Sequence, residues 1–271
     1  MLNFTKMNGA GNDFVMLDNR LGEFLYDRET IAHLCDRHRG IGADGLIAAE
    51  PPETADAQLK MRYFNADGGE AEMCGNGARC FSRFGARLLG ETQALTFETL
   101  AGTLKAELKG NLVQLAMSHP HSLLLNASLK VANETLTVHF LNTGVPHAVV
   151  FQEDLAATNV RSLGAEIRFH QHFAPKGTNA NFLEVEALGQ LAIRTYERGV
   201  EDETLACGTG VVASALLHHI LHGAPSPINV RVKGGDTLQV AFGRDGDEFT
   251  NVTLLGPADF TFEGRVEPRS L

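Results

Sequence analysis

Two stretches far apart in the chain share one layout, and that repetition constrains the fold more than any other feature. Ala71–Cys80 reads AEMCGNGARC and Ala206–Gly210 reads ACGTG, each placing a cysteine directly before Gly-x-Gly at the predicted start of a helix. Cys74 lies as far from Gly90 as Cys207 lies from Gly223. Each segment runs strand, acidic loop, Cys-Gly-x-Gly, amphipathic helix, glycine stop, with Phe81, Phe84 and Leu88, or Val212, Leu216 and Ile220, on the inward face. Both glycines suit a helix C-cap. Upstream, Asn12 precedes Cys74 by nearly the interval between His147 and Cys207, each in a turn beside an apolar strand. The expected fold is therefore α/β, of the α+β kind: a duplicated unit forming two pseudo-symmetric domains that face each other across a cleft.

The remaining pattern fits two such units. Phe14–Asp18 reads as a strand and 28–39 as a helix, with Ile31, Leu34 and Cys35 at helical spacing. Gly40–Gly45 matches G-x-G-x-x-G, but it follows a helix, whereas a dinucleotide loop follows a strand and opens a helix; a turn into strand 46–49 is the better reading. Period-two alternation predicts strands at 58–65, 96–109 and 112–117. Ser118-His-Pro-His121 breaks the alternation and marks the expected boundary, giving domains 1–117 and 118–258, with 259–271 returning to the first. In the second, strands are expected at 136–141, 148–151, 181–186, 190–196, 228–232, 237–242 and 252–255, a helix at 155–169, and a last strand at 259–266.

Composition narrows the function. The 271 residues carry a net charge of −10 and no basic run, which disfavours a nucleic-acid partner. No apolar run approaches bilayer length, and the N-terminus lacks the layout of a signal peptide, so a cytoplasmic location without membrane attachment is expected. The Asn-x-Ser/Thr matches at Asn126 and Asn133 are then read as chance. Four cysteines are too sparse for a disulfide scaffold. No H-E-x-x-H or paired C-x-x-C exists, so no metal site is expected. His218, His219 and His222 are read as solvated side chains on a surface helix.

A cysteine at a helix N-terminus meets free backbone N–H groups and the positive end of the dipole, which lower its pKa. The same N–H groups bind carboxylates. Two such sites facing each other suit inversion of an amino-acid α-carbon: one thiolate takes the α-proton and the other sulfur, as a thiol, returns one to the opposite face. The N–H groups stabilise the charge that develops on the carboxylate, in place of a cofactor. Cys35 and Cys80, inside predicted helices, read as core.

Gly9–Phe14, Asn65–Gly68, Cys74–Arg79, Gly144–His147, Gly177–Phe182, Tyr196–Arg198 and Ala206–Gly210, in that order, resemble the diaminopimelate epimerases. The resemblance implies a cofactor-independent isomerase that interconverts LL- and meso-2,6-diaminopimelate, in lysine and peptidoglycan precursor synthesis. It implies two domains, each a mixed sheet wrapped around a central helix. It places the catalytic cysteines at Cys74 and Cys207, and residues that tune them at His147 and Glu197. Substrate contacts fall on Asn12, Asn65, Asn179, Glu197 and Arg198, and carboxylate-binding turns on Gly75-Asn76 and Gly208-Thr209. Val145 stands where the family often has Asn, and Gly45 where some members have Gln. A racemase of the proline type and a thiol redox sensor are the alternatives; neither calls for the Glu197-Arg198 pair. The expected partners are the small-molecule substrate and a second copy of the chain in a homodimer.

Overall fold

The computed structural model describes residues 1–132 and 134–267. Asn133 and residues 268–271 of the C-terminal return lie outside the described residues. The chain divides into two units, one of Met1–Leu115 with 256–267 and one of Ala116–Leu255. The first unit contains β1 (Leu2–Gly9), β2 (Asn12–Asp18), α1 (Arg28–Cys35), β3 (Gly45–Glu50), β4 (Leu59–Asn65), β5 (Glu70–Ala71), α2 (Gly75–Leu88), β6 (Ala94–Thr99), β7 (Gly102–Lys109) and β8 (Leu112–Ala116). The second contains β9 (His121–Val131), β10 (Glu134–Asn142), β11 (Pro146–Phe151), α3 (Val160–Arg168), β12 (Asn179–Ala187), β13 (Gln190–Glu197), β14 (Asp202–Thr204), α4 (Gly208–His222), β15 (Ile228–Arg231), β16 (Thr237–Asp245) and β17 (Glu248–Pro257). β18 (Asp259–Val266) then returns to pair with β1 of the first unit.

Both units have one topology. In the first the strand order is β18-β1-β2-β3-β4-β6-β7-β8, with β5 a short addition on β4. In the second it is β9-β10-β11-β12-β13-β15-β16-β17, with β14 on β13. Each mixed sheet has two parallel pairs at matching places, β2–β3 and β4–β6 in one, β11–β12 and β13–β15 in the other. Parallel neighbours need a crossover, and each is bridged by a helix. The first crossover helix, α1 or α3, covers one face of its sheet: Ile31 and Leu34 pack with Val15, Leu46 and Phe64, and Val160 and Ile167 with Val150, Phe182 and Tyr196. The second, α2 or α4, is the buried helix that its sheet wraps around. α4 is buried at every position from Gly208 to His218.

Several elements differ from the sequence expectation. The helix expected to reach residue 39 stops at Cys35, because the Asp36 side chain accepts the N–H groups of His38 and Arg39 and turns the backbone out. Gly40 then packs so closely on the end of α1 that a Cβ there would collide with the carbonyl of His33. The G-x-G-x-x-G match is thus a matter of close packing. Residues 96–109 form a hairpin, with the side-chain hydroxyl of Thr99 bonded to Ala101 N–H and Gly102 C=O at the turn. The helix expected from 155 begins at Val160, since Asp154 forms a turn onto Ala157 N–H and Asn159 is the true N-cap. β9 was not foreseen. The surface helix expected for His218 is the central helix of its unit, and His218 is 0% exposed. Its Nε2 accepts the Gly189 N–H at 3.3 Å, and burial, then the neighbouring His222 and His219, push its pKa down to about 4.

Candidate active site

In the first unit Cys74 is the N-cap of α2, in extended backbone, and its Sγ accepts the N–H of Gly77 at 3.5 Å. The next turn carries Asn76, 2% exposed, whose Nδ2 donates to Asn12 Oδ1 at 2.5 Å and whose Oδ1 accepts from Arg79 at 2.8 Å. Arg79 is fully buried and also donates to the carbonyl of Pro257 at 3.1 Å. Gly9 brings the end of β1 against this turn: a Cβ there would lie 2.7 Å from Asn76 O and 3.0 Å from Cys80 Sγ. Asn12 Nδ2 donates to Asp44 Oδ2 at 2.9 Å, and Asp44 is held by Arg37 at 2.7 Å. Beside it, burial alone would raise the pKa of Asp13, but Arg37 and Lys6 outweigh it and hold the carboxyl well below the usual range. Asn65, at the exposed end of β4, accepts from the Tyr63 hydroxyl at 2.8 Å. Gly45 makes room for that ring, since a Cβ there would lie 2.7 Å from Tyr63 Cε2.

In the second unit Cys207 is the N-cap of α4, 7% exposed, with Sγ 3.6 Å from the Thr209 hydroxyl. Thr143, in the turn before β11, bonds the Thr209 carbonyl at 2.9 Å. His147 on β11 is buried, and its Nδ1 faces Asn181 Nδ2 at 3.1 Å. That amide also donates to the Ala148 carbonyl at 3.0 Å, while its Oδ1 accepts from Thr195. Its nitrogen end therefore faces the ring, Nδ1 is the acceptor, and neutral His147 carries its proton on Nε2. Nε2 has no hydrogen-bond partner among the described residues. Burial, then the charge of Arg198, push the pKa of His147 down to about 3. Asn179 lies opposite His147 in the parallel β11–β12 ladder. Its Nδ2 bonds Pro146 O at 3.0 Å and its Oδ1 accepts the Arg198 N–H at 2.8 Å. Glu197 accepts from the Thr204 hydroxyl at 3.0 Å, and burial raises its pKa.

The sequence matches the model of the family described as diaminopimelate epimerase over residues 4–121 and 139–261. It is 42% identical to the diaminopimelate epimerase of Aquifex aeolicus, covering 100% of this chain and 99% of that one. It is 44% identical to that of Chlorobaculum tepidum, over 96% and 99%. The chain belongs to the diaminopimelate epimerase family. Among solved structures, a phenazine biosynthesis protein of the PhzF family from Bacillus anthracis matches with a TM-score of 0.73 at 16% identity, over 98% of this chain and 99% of that one. A hydroxyproline epimerase from Agrobacterium vitis matches at 0.72 and 18%, over 98% and 90%. At such identities the likeness is one of fold alone.

The residues expected to act in this diaminopimelate epimerase fold gather into two clusters. Asn12, Cys74, Gly75 and Asn76 meet in the first unit, with Asn65 bonded to Tyr63; His147, Asn179, Glu197, Arg198, Cys207, Gly208 and Thr209 belong to the second. Asp44, Arg79, Thr143 and Asn181 support these clusters without having been assigned a part. A signal existed for Asn181: it lies two residues beyond Asn179, on the same face of one strand. Among the described residues no group of three or more His, Cys, Asp or Glu is placed to hold a metal ion, and no helix is long and apolar enough to cross a membrane. Gly210 sits so close to Asn181 that a Cβ would collide with its Oδ1 and lie 3.3 Å from His147 Cε1. Gly210→Ala should therefore cost about 1–3 kcal/mol, read as a lowered denaturation midpoint, and reduce turnover by displacing His147.

Proposed function

We propose that this chain interconverts LL- and meso-2,6-diaminopimelate with Cys74 and Cys207 as the two acid–base groups. The observation that carries the reading is the duplication: two units of one topology each set a cysteine as N-cap of the central helix. One sulfur, as thiolate, removes the α-proton while the other, as thiol, protonates the opposite face. The first-turn N–H groups at Gly75-Asn76 and Gly208-Thr209 receive the α-carboxylate, whose charge grows as the proton leaves. His147, held as the Nε2–H tautomer, supplies a neutral donor near Cys207.

At the distal centre Arg198 pairs with the carboxylate and Glu197 with the ammonium, while Asn12, Asn65 and Asn179 set the orientation. A buried carboxyl with a raised pKa, such as Glu197, is one that an arriving ammonium would return to the ionised state. A proline-type substrate would leave both Glu197 and Arg198 without counter-charges. We place the enzyme in the cytoplasm as a homodimer. The test is incubation of reduced protein with LL-diaminopimelate in deuterated water without added cofactor. Loss of the α-proton signal with appearance of the meso isomer is expected; no exchange and no meso product would refute the proposal.

A further inference from the structure

Four side chains in the first unit form a single hydrogen-bonded line: Asp44, Asn12, Asn76, Arg79. The distances are 2.9 Å from Asn12 Nδ2 to Asp44, 2.5 Å from Asn76 Nδ2 to Asn12 Oδ1, and 2.8 Å from Arg79 to Asn76 Oδ1. A carboxamide is nearly the same shape either way round, so its orientation is decided by its partners. Here the two ends of the line are single-valued. Asp44 is a carboxylate paired with Arg37 and bonded to the Asp13 N–H, and it only accepts. Arg79 only donates, and it is anchored by the Pro257 carbonyl in a fully buried site. Turning either amide over would set N–H against N–H at one end and oxygen against oxygen further along.

We infer that Asp44 and Arg79 are positioning residues that fix the donor–acceptor direction of the amides between them, so that Asn12 presents an N–H to the substrate. This rests on the reading of Asn12 as a substrate contact. The Asn12 oxygen is spent on Asn76 and one N–H on Asp44. The remaining N–H suits a substrate oxygen, such as a carboxylate. Asp44 thus acts on binding through Asn12 and has no part in the proton transfers.

Four variants test this through KM, kcat and thermal midpoint. Asp44→Ala removes the terminal acceptor, and KM for diaminopimelate should rise about tenfold with kcat little changed, the pattern of lost ground-state binding. Asp44→Asn can still accept the Asn12 N–H, because Arg79 continues to dictate direction, and should stay within about threefold of wild type. The double variant Asn12→Asp with Asp44→Asn keeps every bond of the line but leaves no N–H for the substrate. It should recover the thermal midpoint lost in Asn12→Asp alone while KM stays raised by about tenfold. A merely structural role predicts that midpoint and KM recover together. Recovery of KM in the double variant, wild-type KM in Asp44→Ala, or equal damage from Ala and Asn at position 44 would each overturn the inference. A wild-type protein that leaves the α-proton untouched would instead overturn the substrate reading of Asn12 itself.

Discussion

Replacing Cys74 by Ala should abolish inversion of both epimers, lowering turnover by about a thousandfold or more, as should Cys207→Ala. The two losses differ in one respect that a simple nucleophile or sensor would not produce. Each single variant retains one sulfur, which can still remove and return a proton on its own face. In deuterated water each should therefore exchange the α-proton of one epimer without inverting it, and the two variants should choose opposite epimers. Nuclear magnetic resonance of the α-position reads both outcomes; exchange of the same epimer by both variants would exclude opposed faces. Cys35→Ala is the control. Cys35 is 3% exposed, and burial pushes its thiol up to about 12, so it packs as a small apolar group and its loss should leave turnover intact. Cys80 is held in the same way, also at about 12.

The second large effect is on stability. The second unit holds His147 and His218 neutral, at about 3 and about 4 against an ordinary 6.5, and burial also lowers His139. The unfolded chain takes protons on these rings near pH 6.5, whereas the folded chain refuses them until far lower. Stability is thus full above about pH 6.5 and falls with pH below it, at a total of roughly 3 to 5 kcal/mol for each of His147 and His218. Glu197 works the other way, since its raised pKa lets the folded state bind a proton first. Depressed carboxylates such as Asp13 add their own loss only below about pH 4. The thermal midpoint should drop by about 10 °C or more between pH 7 and 4.5. His218→Gln, which keeps an acceptor for Gly189 N–H, should reduce that slope markedly. A midpoint unchanged across this range would contradict the assignment.

Much of this architecture is legible in the residues, and the exceptions have physical causes. The duplication is visible because cysteine, glycine pair and glycine stop recur at equal spacing. In residues 96–109 the alternation continues through a tight turn, so a hairpin and one long strand have the same pattern. Helix ends at Asp36 and Asn159 are set by side-chain bonds to nearby N–H groups, which apolar periodicity does not register. His218 was misplaced although Val211–Leu217 is apolar on nearly every side, the mark of a helix buried all round. Asp44 and Arg79 could not be paired from sequence, because the line joining them runs from the loop before β3 through the start of β2 to α2, which meet only in space.

The pairing of β18 with β1 has a consequence for how the protein is made. Arg79 and Arg83 of α2 donate to the carbonyls of Pro257 and Ala258, and β1, paired on one side with β2, gains its neighbour on the other side from residues 259–266. The second unit, 116–255, is contiguous and has all its parts earlier in synthesis. Domains fold as units while the chain emerges from its N-terminal end. The unit whose synthesis begins first is therefore the last to be completed. A nascent chain halted at residue 255 would hold a finished second unit and a first unit with an open sheet edge, the species most exposed to chaperones and to misassembly.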